Sequence, residues 1–359
     1  MLSFFLHFAV CLCLLFAIRV PARNIGLVDV PGERKLHKSR VPLVGGLGLA
    51  VTILAFHFFG FYAVTAPVHY ILFFGYLILV IGVVDDRQPL GSLTRLVLQT
   101  VVVLLTIYFS GLYVDRLDTI LAPSAPLTLG FFGVVFTVFC ITGVINASNM
   151  IDGVDGLLGC IFSVSLLALG TLAFVAGVDD VASVSFGLVG AMCAFLMFNL
   201  GVFGAGRAVF LGDAGSTYTG FIAGFLLIAL SEPIPAVIST ASAGWLFGFP
   251  LMDSVSVIVR RLTQGKSALQ ADNDHFHHRL LQAGFSSRQV LLIVVAIHIG
   301  FVVVGVVANL ILIPGYLLFY GFVLLTVLFH VKNDTLIDWL RSVGLAQIDS
   351  PRRSIESDK

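Results

Sequence analysis

The residues best suited to chemistry in this chain are acids set among apolar runs. Asp85 and Asp86 lie in "GVVDDR", Asp152 and Asp155 in "NASNMIDGVDGLLG", Asp213 in "VFLGDAGS" and Asp253 in "PLMD". A carboxylate at the middle of a membrane helix costs about 2.5–3.5 kcal/mol, so such groups turn toward a bundle interior or a polar cavity. Two carboxylates about 4 Å apart, at an effective dielectric near 20, repel by about 4 kcal/mol. Converging acids therefore stay apart, take up protons or share a cation. Oxygen donors without thiolates suit Mg2+ or Mn2+. Mg2+ takes one or two carboxylates and completes its shell with substrate phosphates. The pattern thus favours an anionic, phosphate-bearing substrate bridged by metal.

Two further signals accompany the acids. Gly212 and Gly215 flank Asp213, and Gly153 and Gly156 flank Asp155. Both are loop-to-helix junctions, where backbone N–H groups and the positive helix end favour phosphate. A single Gly-Asp-x-Gly is equally an ordinary helix cap. The second signal is "ADNDHFHHRLLQAGF", with Asp272, Asp274, His275, His277 and His278. No Glu-x-x-His pattern accompanies it, which argues against a zinc hydrolase. Arg260, Arg261, Lys266 and Arg279 surround the histidines, and a cationic face over an acidic floor would suit a diphosphate. His57 and His298 fall within or at the ends of apolar runs and read as structural.

The elements that must hold these groups are membrane helices. The 359 residues are 58% hydrophobic and 11% charged, with a mean hydropathy of +1.04, where a soluble chain carries roughly 25% charged residues. Apolar segments long enough to cross a bilayer lie near 2–20, 43–63, 67–84, 96–113, 128–146, 157–177, 181–203, 215–231, 235–258, 289–309 and 313–331. Strand-type alternation is absent. The expected fold is an all-α, polytopic bundle of about eleven transmembrane helices. The first reads as a permanent anchor, since it lacks a basic leader and a small-residue cleavage site. Of the basic residues only Arg116 departs from one face, which makes that face cytoplasmic, with the N-terminus outside and the C-terminus inside. All the acids above then gather at the cytoplasmic edge. Asp115, Asp118, Asp179, Asp180 and Glu232 stay outside in short loops. One membrane domain, 1–332, is expected, followed by a polar cytoplasmic tail over 333–359. The five cysteines, Cys11, Cys13, Cys140, Cys160 and Cys193, sit in apolar spans and read as small buried hydrophobes.

The motifs "KLHKSRVPLVGG" (35–46), "GVVDDR" (82–87), "NASNMIDGVDGLLG" (146–159), "FNLGVFGAGRAVFLGDAGS" (198–216), "PLMD" (250–253) and "DHFHHRLLQAGFS" (274–286) occur in this order. Together they resemble the polyprenyl-phosphate N-acetylhexosamine-1-phosphate transferases over nearly the whole chain. The "NMIDGVDGL" and "HFHH" forms are most similar to the bacterial branch that starts O-antigen and enterobacterial common antigen synthesis. The resemblance implies that undecaprenyl phosphate attacks the β-phosphorus of UDP-GlcNAc, releasing UMP, with Mg2+, or Mn2+, bridging the diphosphate. It implies a bacterial inner-membrane enzyme working at the cytoplasmic face, with no nucleic-acid partner, and it allows a homodimer. By motif, Asp213 becomes the metal ligand together with Asn149. Asp85, with Asp86 beside it, becomes the catalytic base or the organiser of the lipid phosphate. Asn149, Asp152, Asp155, Asn199, Arg95, His275, His277 and His278 become substrate-binding residues. Arg95 stands where relatives often carry lysine, which keeps the charge and changes the shape. Two alternatives remain: the same reaction on a fucosamine- or quinovosamine-type UDP-sugar, and a transporter, which would carry its acids at mid-bilayer in repeated halves.

Overall fold

Backbone polar groups in lipid must be satisfied within the segment, so long apolar runs fold as helices. The computed structural model describes residues 2–30, 40–61, 63–120, 125–232, 236–268 and 274–343. Arg34, Lys35 and Lys38, Asp272 and the final residues 344–359 lie outside the described residues. The helices are α1 (Leu2–Asn24), α2 (Gly45–Phe58), α3 (Ala66–Arg87), α4 (Ser92–Ser110), α5 (Phe131–Ile151), α6 (Leu157–Val175) and α7 (Asp179–Asn199). They continue with α8 (Gly212–Ser231), α9 (Thr240–Leu246), α10 (Gly248–Thr263), α11 (Phe276–Gln282), α12 (Ser287–Leu310) and α13 (Gly315–Ser342). Two small antiparallel hairpins join Val28–Asp29 to Val41–Pro42 and Arg116–Leu117 to Leu127–Thr128.

Every expected span has a counterpart. Among the described residues nine helices are long and apolar enough to cross a membrane, and α9 with α10 forms a broken pair bent by 83°. The remaining counterpart, α2, has 14 residues. That is about 21 Å of helix, short of the roughly 30 Å hydrocarbon core. The chain is a multi-pass helical membrane protein.

The central element is α8, which is almost wholly buried and packs against α2, α3 and α5. Small residues permit that closeness. A side chain on Gly82 of α3 would run into the backbone of Ala214, and one on Gly46 of α2 into that of Gly215. Helices α1, α7 and α6 pack side by side on the other flank. Helix α13 continues past residue 332 to Ser342 and buries Asn333, Ile337 and Leu340 at helical spacing. Phe329, just before that extension, packs its ring against Phe249 of α10 and Phe276 of α11.

The two ends of the bundle differ. At one end acids serve as anchors: Asp180 accepts from the Thr65 hydroxyl and amide, Glu232 from the Asp115 amide, and Asp118 from the Ala241 amide. His57 and His69 meet there at 3.0 Å. The opposite end collects the motif acids among the described residues. Cys13 is exposed, against expectation, because α1 turns that side outward; Cys11 is buried and the other three are half-buried.

Candidate active site

Asp85 and Asp86 close α3, and the close α3–α8 approach aims Asp86 at the start of α8. The Asp213 and Ala214 amides donate to its two carboxylate oxygens at 2.7 and 3.1 Å. Gly212 makes the fit possible: its φ is +75°, and a Cβ there would stand 2.6 Å from Asp86 Oδ2. Asp86 is therefore an N-terminal helix anchor supplied from another helix, satisfying donors that α8 cannot satisfy itself. This corrects the expectation that the first amides of α8 are free to take phosphate. The α6 junction is closed in the same way. The Gly156 amide donates to Asn199 Oδ1 at 2.5 Å, and Asn199 Nδ2 donates to the Val209 carbonyl at 3.1 Å. Asn199 uses both polar atoms to tie two loops together.

Asp213, set beside these anchors, remains open. Its side chain is 37% exposed, against 4% for Asp85. Asn149, in the last turn of α5, donates its Nδ2 to Asp213 Oδ1 at 2.6 Å and to Ser216 Oγ at 3.2 Å. Arg95, in the first turn of α4, lies between two acids. Its Nη1 donates to Asp85 Oδ2 at 3.0 Å and stands 3.8 Å from Asp213 Oδ2. Asp85 Oδ1 accepts the Leu90 amide at 2.7 Å, so the α3–α4 turn is built around this carboxylate. Four of the expected residues, Asp85, Arg95, Asn149 and Asp213, thus form one connected group.

The loop after α5 carries Asp152 and Asp155, both exposed beside that group. Burial among the loop walls and the charges of Asp213, Asp155 and Asp86 all push the Asp152 carboxyl upward. Because its side chain is open to solvent, water offsets the burial and the neighbouring charges set the direction.

The histidine segment docks against the same loop, where a side chain on Gly153 would run into His277 Nε2. The three histidines do not share one role. His275 is buried, its Nδ1 2.8 Å from Asp253 Oδ2, while the Phe276 amide donates to Asp253 Oδ1 at 3.0 Å. His277 is fully buried, with neither ring nitrogen hydrogen-bonded among the described residues. Burial and the neighbouring His278 and His275 hold its pKa well below 6.5, so it is neutral. His278 is half-buried, its ring 4.2 Å from that of His277.

The expected cationic face takes a different form. Arg260 pairs with Asp274 at 2.6 Å. Arg279 pairs with Asp334 and lies 3.8 Å from Asp274. Arg261 is buried and donates to the Ala268 carbonyl at 2.9 Å. These arginines lock the loop to α10 and α13 instead of standing free above the acids. Asp334 was hidden by its position in the expected tail. The signal for it was available: Asn333, Ile337 and Leu340 continue a helical stripe beyond the apolar run.

Among the described residues no three His, Cys, Asp or Glu side chains form a metal-binding group. Asp213 is open, and the Asn149 amide oxygen takes no hydrogen bond among the described residues. Both are hard donors that fit Mg2+ or Mn2+.

The acids stand at helix ends: Asp85 is third from the end of α3 and Asp213 second in α8. A transporter would carry them at mid-bilayer, away from the histidines. Residues 68–231 match the model of glycosyl transferase family 4. Proteins called undecaprenyl-phosphate alpha-N-acetylglucosaminyl 1-phosphate transferase are similar over most of this chain. The Haemophilus influenzae protein is 37% identical over 330 residues, 92% of each chain. That of Pasteurella multocida is 37% identical over 326 residues, 90% of this chain and 91% of its own. The Escherichia coli K12 protein is 35% identical over 296 residues, 82% and 80% of the two chains. Fold and comparisons together define a multi-pass membrane enzyme. The chain belongs to glycosyl transferase family 4.

Proposed function

We propose that this protein transfers GlcNAc-1-phosphate from UDP-GlcNAc to undecaprenyl phosphate at the cytoplasmic face of a bacterial inner membrane. A lipid phosphate oxygen bonds to the β-phosphorus, the bond from that phosphorus to the bridging oxygen breaks, and UMP leaves with that oxygen. The observation that carries this reading is the connected group of Asp85, Arg95, Asn149 and Asp213 at the helix ends, beside the docked histidine segment. Residues 1–332 would form the catalytic domain. Arg87, Arg95, Arg207, Arg260 and Arg279 belong to the acid-bearing end and Arg116 to the other, which supports a cytoplasmic site.

Asp213 and the Asn149 amide oxygen would hold Mg2+ or Mn2+, which neutralises diphosphate charge when bound. Asp85 has both oxygens engaged by Arg95 and Leu90, so it holds the Arg95 guanidinium in place for the lipid phosphate. Proton removal is a small part of the task, since a phosphate monoester with a second pKa near 6 is largely a dianion at neutral pH. Asp152, Asp155 and His278 line the side left for nucleotide and sugar. A groove of about 490 Å³ between α4 and α5, lined by Val101, Leu104, Leu105, Ile107, Tyr108 and Val134, suits a polyprenyl chain. It begins six residues along α4 from Arg95, about 9 Å at 1.5 Å per residue.

The test is transfer of labelled sugar phosphate from UDP-GlcNAc to undecaprenyl phosphate, with and without Mg2+ and with Asp213→Ala. Metal-dependent labelled lipid that vanishes in the variant is expected. Label only from a fucosamine- or quinovosamine-type donor would keep the mechanism and change the sugar. No transfer from any UDP-sugar by folded protein would overturn the reading.

A further inference from the structure

The break between α9 and α10 falls inside a candidate membrane span. Helix α9 has seven residues from Thr240, so the bend at Phe247 is about 10 Å from the outer helix end. Breaking a helix frees the carbonyls of its last turn, and in lipid such groups must find partners within the protein. The carbonyl of Leu246, the last residue of α9, finds one on another helix. Ser165 of α6 donates its hydroxyl to it at 2.7 Å. His298 of α12 then stands 2.9 Å from the same hydroxyl through Nε2. Ser165 has one proton to give and gives it to Leu246, so the imidazole donates from Nε2–H. Ser165 and His298 are both buried, His298 completely. On the other side, Trp245 Nε1 donates to the Leu318 carbonyl of α13 at 3.1 Å.

The bend has a consequence at the active site. It fixes the direction of α10, and α10 carries Asp253 five residues after its first residue. The two carboxylate oxygens of Asp253 hold His275 and the Phe276 amide. Through it the α10 direction sets where His277 and His278 meet the loop of Asp152 and Asp155.

We infer that Ser165 and His298 form a polar latch at the α9–α10 break, acting as remote positioning residues for the histidine segment in sugar-nucleotide binding. The inference rests on the proposed transferase reading for its kinetic arm only. Neither residue touches the site; both act through the angle of α10. Losing the serine hydroxyl leaves the Leu246 carbonyl without its donor, while the His298 N–H keeps only the Ile161 backbone on α6, and the response that restores a donor to the carbonyl is rotation of α10.

The experiment combines kinetics with a distance. Ser165→Ala, His298→Phe, His298→Gln and the double variant Ser165→Ala/His298→Phe are compared in membranes. Spin labels at native Cys13 on α1 and at Val259→Cys on α10, with the other four cysteines replaced by alanine, report the α10 direction. Ser165→Ala and His298→Phe should each raise KM for UDP-GlcNAc about five- to tenfold, the effect of one net hydrogen bond, while kcat changes less than twofold. Both should shift or broaden the label distance. The double variant should be no worse than either single one, because both remove one latch. Glutamine offers an N–H near the position of Nε2, so His298→Gln should retain wild-type KM and distance. A wild-type distance and KM in Ser165→Ala would overturn the latch. So would a lower Tm in all variants with KM and distance unmoved, which would mark a purely structural role. If the wild-type protein transfers no sugar phosphate, the transferase reading fails. The distance arm still decides the latch.

Discussion

Asp86 offers the sharpest test of whether an acid beside the reacting groups acts on them or on the fold. In Asp86→Asn the side chain keeps its shape and loses its charge. The carboxylate accepts two amides, from Asp213 and Ala214. An asparagine carbonyl can keep one of them, and its NH2 then faces the other amide, donor against donor. A hydrogen bond to a charged group contributes about 1.5–3 kcal/mol, and the anion at the helix N-terminus about 0.3–1 kcal/mol more. The variant should thus lose about 2–4 kcal/mol, summing those two contributions. It should melt several degrees lower. Asp213 is the second residue of the helix being unfastened, so transfer should fall as well, by about 10²-fold for a displacement near 1 Å. The assays are thermal unfolding of purified protein and labelled phosphosugar transfer, each over a range of pH. An Asp86→Asn protein that keeps the wild-type Tm, loses transfer, and recovers it at high pH would refute the anchor. Asp86 would then be handling a proton.

Three other perturbations test separate parts of the structure. His277 is held neutral well below its usual 6.5, so the unfolded chain binds the extra proton. Stability should be full above about 6.5 and fall by up to about 1.4 kcal/mol per pH unit below it; unfolding curves of His277→Phe should lose that slope, and an unchanged slope would place the titrating group elsewhere. Truncation after Lys332 removes buried Ile337 and Leu340, about 1.5–3 kcal/mol each, whereas Asp334→Asn breaks only an exposed pair worth about 0–1 kcal/mol; denaturation should rank the truncated chain well below the point variant. Gly82→Ala forces a methyl into the Ala214 backbone, where overpacking costs about 1–3 kcal/mol; transfer activity should drop although no polar group has changed, and full activity would show that α3 and α8 have slack.

The fold was legible because each span carries its own signal, a run of apolar residues of the length a bilayer needs. Helix α11 and the α13 extension were missed for the opposite reason. They lie outside the bilayer, and their stripes are short. The candidate site was half legible. Residue type and neighbourhood marked Asp85, Asp86, Asn149, Asp213 and the histidines as belonging to one region, and all of them reach it. What sequence cannot encode locally is the partner of each polar atom. Asp86 and Asn199 look like ligands in a motif, yet they satisfy amides 127 and 43 residues away in the chain. Arg260 and Arg279 look like free cations, yet Asp274 neutralises both and Asp334 adds a further partner.

That division of labour also resolves the charge problem of crowded acids. Three ionised carboxylates around one point would repel by several kcal/mol, at about 4 kcal/mol per pair at 4 Å. In this site Asp85 is compensated by Arg95 and the Leu90 amide, and Asp86 by the amides and positive end of α8. Asp213 has the neutral Asn149 amide at 2.6 Å and the shared Arg95 at 3.8 Å, with the Asp85 carboxylate also close by. Of Asp85, Asp86 and Asp213, only Asp213 is left incompletely balanced. In the proposed metal site a single such carboxylate would leave a divalent cation with net positive charge, which a diphosphate needs. If Asp85 and Asp86 were free as well, the cation would be neutralised before any substrate arrived. The paired acids of α3 are thus each compensated by fixed partners, and Asp213 is the least compensated carboxylate of the three.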